Sequence, residues 1–308
     1  MIAIETEKVS IVLPCYNGEK TIERAVRGVL NQTYRPIQLI LVNDGSTDRT
    51  EEIVMTLKAE LEAAGIEFIY VPQENMGLGG AVNTGLKYVT GEYLAWVDAD
   101  DELLPESVAV RATFLEENPR YGSVSSNAFL AEESDWDHPL GRAESRIELN
   151  SEEDQFEHIL LARSLFCAGC HLVRTEVFQK ANGGMDIYPA RHGQNWQMLL
   201  PVYYASKHAF LDIPLYKYRI DANSMDASAG RMSAKKLAAR RWEHAVLIKH
   251  TLNRIVGMSD AEKKKYLRMY RKRIFEQNLD TAIARKDRLE ILKWRSVVRL
   301  MNRLHRLG

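Results

Sequence analysis

Asp98 and Asp100 stand two positions apart in Asp98-Ala99-Asp100-Asp101, directly after the apolar run Tyr93-Leu94-Ala95-Trp96-Val97. Past the end of a strand the backbone no longer alternates side chains between faces. Both carboxylates can therefore turn to one point and bind a hard divalent cation through oxygen. Such a cation would itself be held by a diphosphate. Asp101 and Glu102 also suit the start of a helix after Pro105, so the spacing alone leaves a helix-entry reading open. Asp44 precedes Gly45 and Ser46 at the end of another apolar run. Its carboxylate is an acceptor for a base N–H or a ribose hydroxyl, or the side chain of an ordinary Asx-turn. Tyr16 follows Val9-Ser10-Ile11-Val12-Leu13-Pro14-Cys15 and has a ring that either stacks on a base or covers the sheet edge.

Two further motifs do not hold. Gly77-Leu78-Gly79-Gly80 invites a dinucleotide-binding reading, but the third required glycine falls on Val82, and the stretch precedes the third helix instead of following the first strand. Cys167-Ala168-Gly169-Cys170-His171 has the spacing of a c-type haem attachment site without a candidate axial partner nearby, and the further soft ligands of a zinc site are missing. Two buried thiols in a strand are expected there.

The elements that must position these residues are legible in the first third. Val9–Leu13, Ile37–Val42, Phe68–Val71 and Tyr93–Val97 are short apolar runs ended by turn residues, as buried strands are. Between them, Ile22, Ala25, Val26, Val29 and Leu30, then Ile53, Val54, Leu57 and Leu61, then Leu78, Ala81, Val82, Leu86 and Val89 recur at helical spacing. Thr47 or Asp48 can cap the second of these helices. The alternation predicts βαβ units on a mostly parallel sheet, with ligands beyond the carboxyl ends of the strands. The clusters at Pro14–Asn17, Asn43–Ser46 and Asp98–Asp101 fall at those ends and converge on one rim. Residues 120 to 225 are less periodic and predict a mixed extension over that rim. From 231 onward the chain reads as helical and basic.

Composition bounds the rest. The 308 residues are 45% hydrophobic and 27% charged, which excludes disorder, collagen and a disulfide scaffold. No apolar run reaches the roughly 18 residues of a membrane span. Acidic residues near the N-terminus and three cysteines in the whole chain predict a cytoplasmic protein. Residues 1–230 hold 19 basic and 35 acidic side chains, and residues 231–308 hold 22 and 7, a split of −16 against +15. Such a tail meets something anionic or packs on the acidic body of its own chain.

Taken in order and spacing, Val9–Asn17, Leu41–Asp48, Asn75-Met76-Gly77 with Ala81, Asn83 and Gly85, and Gly91–Asp101 resemble the family-2 inverting glycosyltransferases. The likeness continues more weakly through Leu172–Phe178 and Gly183-Gly184-Met185-Asp186. It implies an α/β GT-A fold, with a Rossmann-like, mostly parallel sheet flanked by helices. A nucleotide-sugar-binding half would span 1–118, an acceptor-binding half 119–228, and a basic helical extension 229–308. Pro14, Tyr16, Asn17 and Asn75 would line the nucleotide pocket, and Asp44 would contact the base, most often uracil in this family. Asp98 would reach the ribose or sugar, and Asp98 and Asp100 would hold Mn²⁺ or Mg²⁺ on the diphosphate. Arg219, ahead of a loop with Asn223, Ser224 and Ser228, would close on the diphosphate, or else is an ordinary solvated strand-end arginine.

One departure matters. Where many members carry a Glu-Asp pair whose Asp is the general base, this chain has Arg191-His192-Gly193-Gln194-Asn195-Trp196, and an amide accepts no proton at neutral pH. Gln194, Asn195 and Trp196 would then contact sugar or acceptor. Asp186 or His192 would serve as base, unless each is an ordinary turn residue. An anionic acceptor such as a lipid phosphate would need no base. A module that binds a sugar nucleotide and transfers nothing is the rival reading. From Leu289 to Leu307, leucines, Trp294, Lys293, Arg295 and Arg299 pattern a helix suited to an anionic membrane, or to docking on protein. The expected partners are thus a nucleotide-sugar donor, a glycan or lipid-linked acceptor and the inner membrane face, without nucleic acid.

Overall fold

The computed structural model describes residues 4–143, 147–164, 167–220 and 232–306, with the side chains of 147, 148 and 302–306 left undescribed. The loop with Asn223, Ser224 and Ser228 lies outside the described residues. The chain divides into two compact units, Met1–Ile220 with Arg254–Val256, and Asp221–Asn253 with Gly257–Gly308.

The first unit alternates strand and helix as its hydrophobic periods dictate. β1 (Glu5–Cys15), α1 (Ile22–Leu30), β2 (Ile37–Asn43), α2 (Thr50–Ala63), β3 (Ile66–Pro72), α3 (Gly77–Leu86) and β4 (Gly91–Trp96) come first. β5 (Glu102–Leu103), α4 (Ser107–Glu117), β6 (Tyr121–Glu132) and β7 (Gly141–Arg142) follow. α5 (Ile147–Asn150), α6 (Phe156–Leu160), β8 (His171–Arg174), α7 (Thr175–Asn182), α8 (Gln194–Ala205) and β9 (Lys207–Ile220) complete it. The sheet order is β3-β2-β1-β4-β8-β6-β9-β5, with β7 on β6.

β1 and β2 read as unbroken apolar runs because they are covered on both faces: Val9, Ile11, Val12, Leu13, Leu39, Ile40, Leu41 and Val42 are fully buried. The buried stripe of α1, Ile22-Ala25-Val26-Val29, and that of α2, Val54-Leu57-Leu61, are the residues that recur at helical spacing. Asp48 Oδ1 accepts from the Thr50 N–H at 3.0 Å and its Oδ2 from the Glu19 N–H at 3.0 Å, which starts α2 and ties it to the loop after β1.

Register decides where the polar clusters go. The parallel pairing sets Cys15 opposite Asn43, Asn43 opposite Pro72 and Val12 opposite Trp96. The carboxyl ends of β1, β2, β3 and β4 therefore end along one edge of the sheet. Antiparallel β8 follows β4, and β6 runs parallel to β9 with Ala131 opposite Arg219.

One expectation needs correction. Cys167 and Cys170 are not in a strand. Residues Ala168–Cys170 form a 3-10 turn ahead of β8, with Cys170 buried and Cys167 half-buried. The turn passes Tyr216 so closely that a Cβ on Gly169 would sit 2.0 Å from the ring, so no larger residue fits.

Beneath this sheet lies a buried polar layer. Both ring nitrogens of His208 meet serine hydroxyls, Ser123 at 3.0 Å and Ser125 at 2.9 Å, and the Tyr203 hydroxyl lies 3.1 Å from His171 Nδ1. Trp96 stacks on His171 at 6.2 Å between ring centres. Burial, reinforced by Arg111, pushes the His171 imidazole down to about 3, and burial and His171 depress His208 as well.

The second unit is helical: α9 (Ala234–Arg254), α10 (Asp260–Ala284) and α11 (Arg288–Arg306). Ser259 and Glu262 form a capping box that starts α10. Trp242, Phe275 and Trp294 form an aromatic ladder, with ring centres 5.6 and 5.9 Å apart. Among the described residues no helix is long and apolar enough to cross a membrane.

Candidate active site

At the end of β2, Asp44 is 3% exposed and held from two sides. Its Oδ1 accepts from Gln73 Nε2 at 2.6 Å and from the Met76 N–H at 2.8 Å. Both bonds fall on one oxygen, which leaves Oδ2 as the acceptor for an incoming N–H. The Asn75 backbone crowds the adjacent turn: a Cβ on Gly45, whose φ is +75°, would lie 2.8 Å from its nitrogen, so the turn requires glycine. Tyr16 is exposed beside this turn, whereas Pro14 is buried inside β1 opposite Val42. Asn17 stitches the two strand ends together, its N–H on Ser46 Oγ at 2.9 Å and its Oδ1 taking the Thr47 N–H at 2.8 Å.

At the end of β4 the acidic turn separates into two roles. Asp98 and Asp100 are half-buried and Asp101 is 1% exposed. The Tyr216 hydroxyl and the Arg219 N–H both donate to Asp101, each at 2.7 Å. Burial, then the charges of Asp98 and Asp100, push the Asp101 carboxyl well above its ordinary range. Burial is the larger cause, and the two neighbouring carboxylates add to it. Two hard oxygen donors there fit a divalent cation whose other ligands come from a diphosphate and water. Among the described residues no group of three or more His, Cys, Asp or Glu side chains is placed to hold a metal by itself.

Arg219 already answers part of that charge. Its Nη1 lies 3.4 Å from Asp100 Oδ2, and its Nε 3.1 Å from Glu133 Oε2. Glu133 takes a two-pronged contact from Arg24 at 2.8 and 3.0 Å, and Arg24 lies 3.6 Å over the Trp136 ring. Nothing local in the sequence marks Glu133, Arg24 or Trp136. Only the β6–β9 register brings Glu133, just past β6, beside Arg219.

The two candidate bases are separated along α3. Residues 187 to 191 run antiparallel to that helix: Ile187 exchanges two hydrogen bonds with Asn83 at 2.6 and 2.8 Å, Ala190 accepts the Gly79 N–H at 3.0 Å, and Arg191 packs on Gly77. A Cβ on Gly79 would lie 2.5 Å from the Ala190 oxygen, so this close approach requires glycine. From Asn83 to Gly77 the helix rises by about 9 Å. His192 therefore follows at the level of the first turn of α3, on the edge where the strands end, and Asp186 lies lower. Asp186 is also engaged: Arg254 grips it at 2.6 and 2.7 Å, and this pairing holds its carboxyl below the ordinary range.

Asn195 is tied to the same edge, its Oδ1 accepting the Trp96 indole N–H at 2.9 Å. Gln194 is buried at the start of α8. Trp196 is 6% exposed and donates to the Ile159 carbonyl at 2.9 Å, so its ring belongs to the packing under α8.

The model of glycosyl transferase family 2 matches residues 10–181. The chain is 31% identical to the uncharacterized glycosyltransferase EpsJ of Bacillus subtilis over 220 residues, which are 70% of this chain and 62% of that protein. Its matches span 13 to 62% of the lengths of such curated relatives. Among solved structures, residues 1–349 of S. aureus TarS in complex with UDP-GlcNAc superpose with a TM-score of 0.66 at 20% identity, covering 93% of this chain and 78% of that one. The mannosyltransferase PcManGT from Pyrobaculum calidifontis, in complex with GDP-Man and Mn²⁺, does so with a TM-score of 0.54 at 15% identity, covering 96% and 84%. At these identities the likeness carries the fold.

Proposed function

Because the chain belongs to glycosyl transferase family 2, we propose that it moves a sugar from a nucleotide donor to an acceptor hydroxyl, with inversion at the anomeric carbon. The observation that carries this is the shared sheet edge of the GT-A fold, where Asp44 follows β2 and Asp98 and Asp100 follow β4. Asp44 Oδ2 takes the N–H of the base, in keeping with uracil, and Tyr16 covers the ring. Asp98 and Asp100 would hold Mn²⁺ or Mg²⁺, which when bound would neutralise charge on the departing diphosphate. Arg219, beside the acidic turn, adds a second positive charge to the leaving group.

The acceptor hydroxyl loses its proton to His192. Its place at the first turn of α3 supports this, and so does the engagement of Asp186 by Arg254. Asn195, oriented by Trp96, holds a sugar hydroxyl. A glycan or a lipid-linked acceptor suits such a site. For the second kind, α11 offers Leu289, Leu292 and Leu300, which are 80, 63 and 58% exposed, beside Lys293, Arg295 and Arg299 for peripheral contact at the cytoplasmic face of a membrane.

The test is calorimetry of UDP-GlcNAc and other nucleotide sugars with and without Mn²⁺, followed by turnover. Binding that requires the cation in the native chain, and loss of cation-dependent turnover in a folded Asp100→Ala variant, are expected. Full activity in that variant refutes the assignment.

A further inference from the structure

Among the described residues, three acidic contacts surround Arg219. Its backbone N–H sits on Asp101 at 2.7 Å, its Nε is 3.1 Å from Glu133, and its Nη1 reaches Asp100 at 3.4 Å. Glu133 cannot follow a moving partner. Arg24 grips both of its oxygens, Arg24 Nη2 also holds the Asp100 carbonyl at 2.9 Å, and the Trp136 ring beneath Arg24 is pinned by its N–H on Glu102 at 2.6 Å. The contact to Asp100 is the longest of the three and falls on a side chain that is 47% exposed. Of the two carboxylates described beside the guanidinium, Glu133 is gripped by Arg24 and Asp100 is the more open to solvent.

We propose that Glu133 is a positioning residue for Arg219, and that the guanidinium is the resident counter-ion of Asp100, surrendering that carboxylate when a diphosphate and a divalent cation enter together. Arg219 and the cation compete for the same oxygen, so the cation alone binds against a standing charge. A diphosphate removes the competition by offering the guanidinium its own oxygens while Glu133 keeps hold of Nε. Cation and diphosphate thus bind cooperatively, each clearing the way for the other. An exposed ion pair of this kind is worth a few-fold in affinity, enough to order binding without blocking it. The inference rests on the function proposed above.

The experiment measures Mn²⁺ binding to the full chain by electron paramagnetic resonance of the free ion, without and with UDP. Arg219→Gln is expected to bind Mn²⁺ alone about threefold more tightly and to lose most of the tightening that UDP brings. In Glu133→Gln the guanidinium leans more on Asp100, so Mn²⁺ alone binds about threefold more weakly. Arg24→Lys, which breaks the grip on Glu133 without removing its charge, acts in the same direction. In the Arg219→Gln background neither change has a further effect, an outcome that a general loss of negative charge or of local packing would not produce. Unchanged or weaker Mn²⁺ binding in Arg219→Gln overturns the proposal, as does an equal effect of Glu133→Gln in both backgrounds. If the native chain binds no Mn²⁺ even with UDP, the cation reading itself has failed and this inference falls with it.

Discussion

Arg254 closes on Asp186 with both guanidinium arms, Nη1 on Oδ2 at 2.6 Å and Nη2 on Oδ1 at 2.7 Å. The pair occupies both carboxylate oxygens of one of the two residues that could stand in for the missing Glu-Asp pair as base. A carboxylate whose proton affinity is lowered by a cation is a poorer proton acceptor. Arg254 Nε also reaches the Asn182 carbonyl, at 3.4 Å, and Asn182 Nδ2 holds the Asp186 carbonyl at 2.7 Å. The arrangement is that of a turn being fastened.

The two candidates then separate by kinetics. His192→Gln should lower kcat by about a hundredfold with little change in donor KM, the size expected for a lost general base. Asp186→Asn should leave kcat within about threefold and cost at most about 1 kcal/mol, because Asp186 is 63% exposed and the pair is screened. Steady-state assays with thermal melts decide between them. A hundredfold loss in Asp186→Asn with a normal rate in His192→Gln would reverse the roles.

Asp44→Asn should raise donor KM about ten- to a hundredfold and leave kcat nearly intact. Asparagine keeps an oxygen for the Gln73 amide and the Met76 N–H but turns the other carboxylate oxygen into a donor, which faces a base N–H unfavourably. Competition between UDP and CDP in the native chain and the variant measures it. An unchanged KM would remove Asp44 from base recognition.

How far these residues were legible depended on whether the determinant was local. The strands around Ile11, Leu41 and Ala95 were readable because burial on both faces demands unbroken apolar runs, and the turns that end them placed Asp44, Asp98 and Asp100 on one edge. Glu133 was not readable beside Arg219, since the parallel pairing of β6 and β9 joins segments far apart in the chain. Trp196 was hard to read for a different reason. An indole in a loop-to-helix junction suits a sugar face as well as a core, and its burial and its bond to the Ile159 carbonyl depend on a segment far away in the chain.

The basic helix yields a prediction of its own. Trp294 is already packed on Phe275, so Trp294→Ala should lower stability and leave vesicle binding little changed. Leu292→Glu with Leu300→Glu, which alter exposed positions on α11, should cut binding to vesicles containing anionic lipid by tenfold or more, an order-of-magnitude figure from the burial of two leucines. Flotation of the full chain with anionic and with neutral vesicles reads both effects. Equal flotation of the native chain and the double variant would mean that this face meets something else.

The buried histidines set an acid limit on stability. His171 is fully enclosed and its folded value is about 3, against an ordinary 6.5, and His208 shifts in the same direction. Between those values the unfolded chain binds protons that the folded chain refuses, so stability rises with pH. The His171 contribution is fully present above about pH 6.5 and fades as pH falls toward 3, at about 1.4 kcal/mol per pH unit, and His208 acts in the same direction. Denaturant titrations at pH 7, 6, 5 and 4 should show that decline. The variant His171→Gln keeps a polar atom for the Tyr203 hydroxyl and should be weaker at pH 7, yet lose less stability per pH unit below 6, because one of the two excluded protons is no longer at stake. A slope that His171→Gln leaves unaltered would place the acid sensitivity elsewhere, in the carboxylates held down by Arg254 and Lys207.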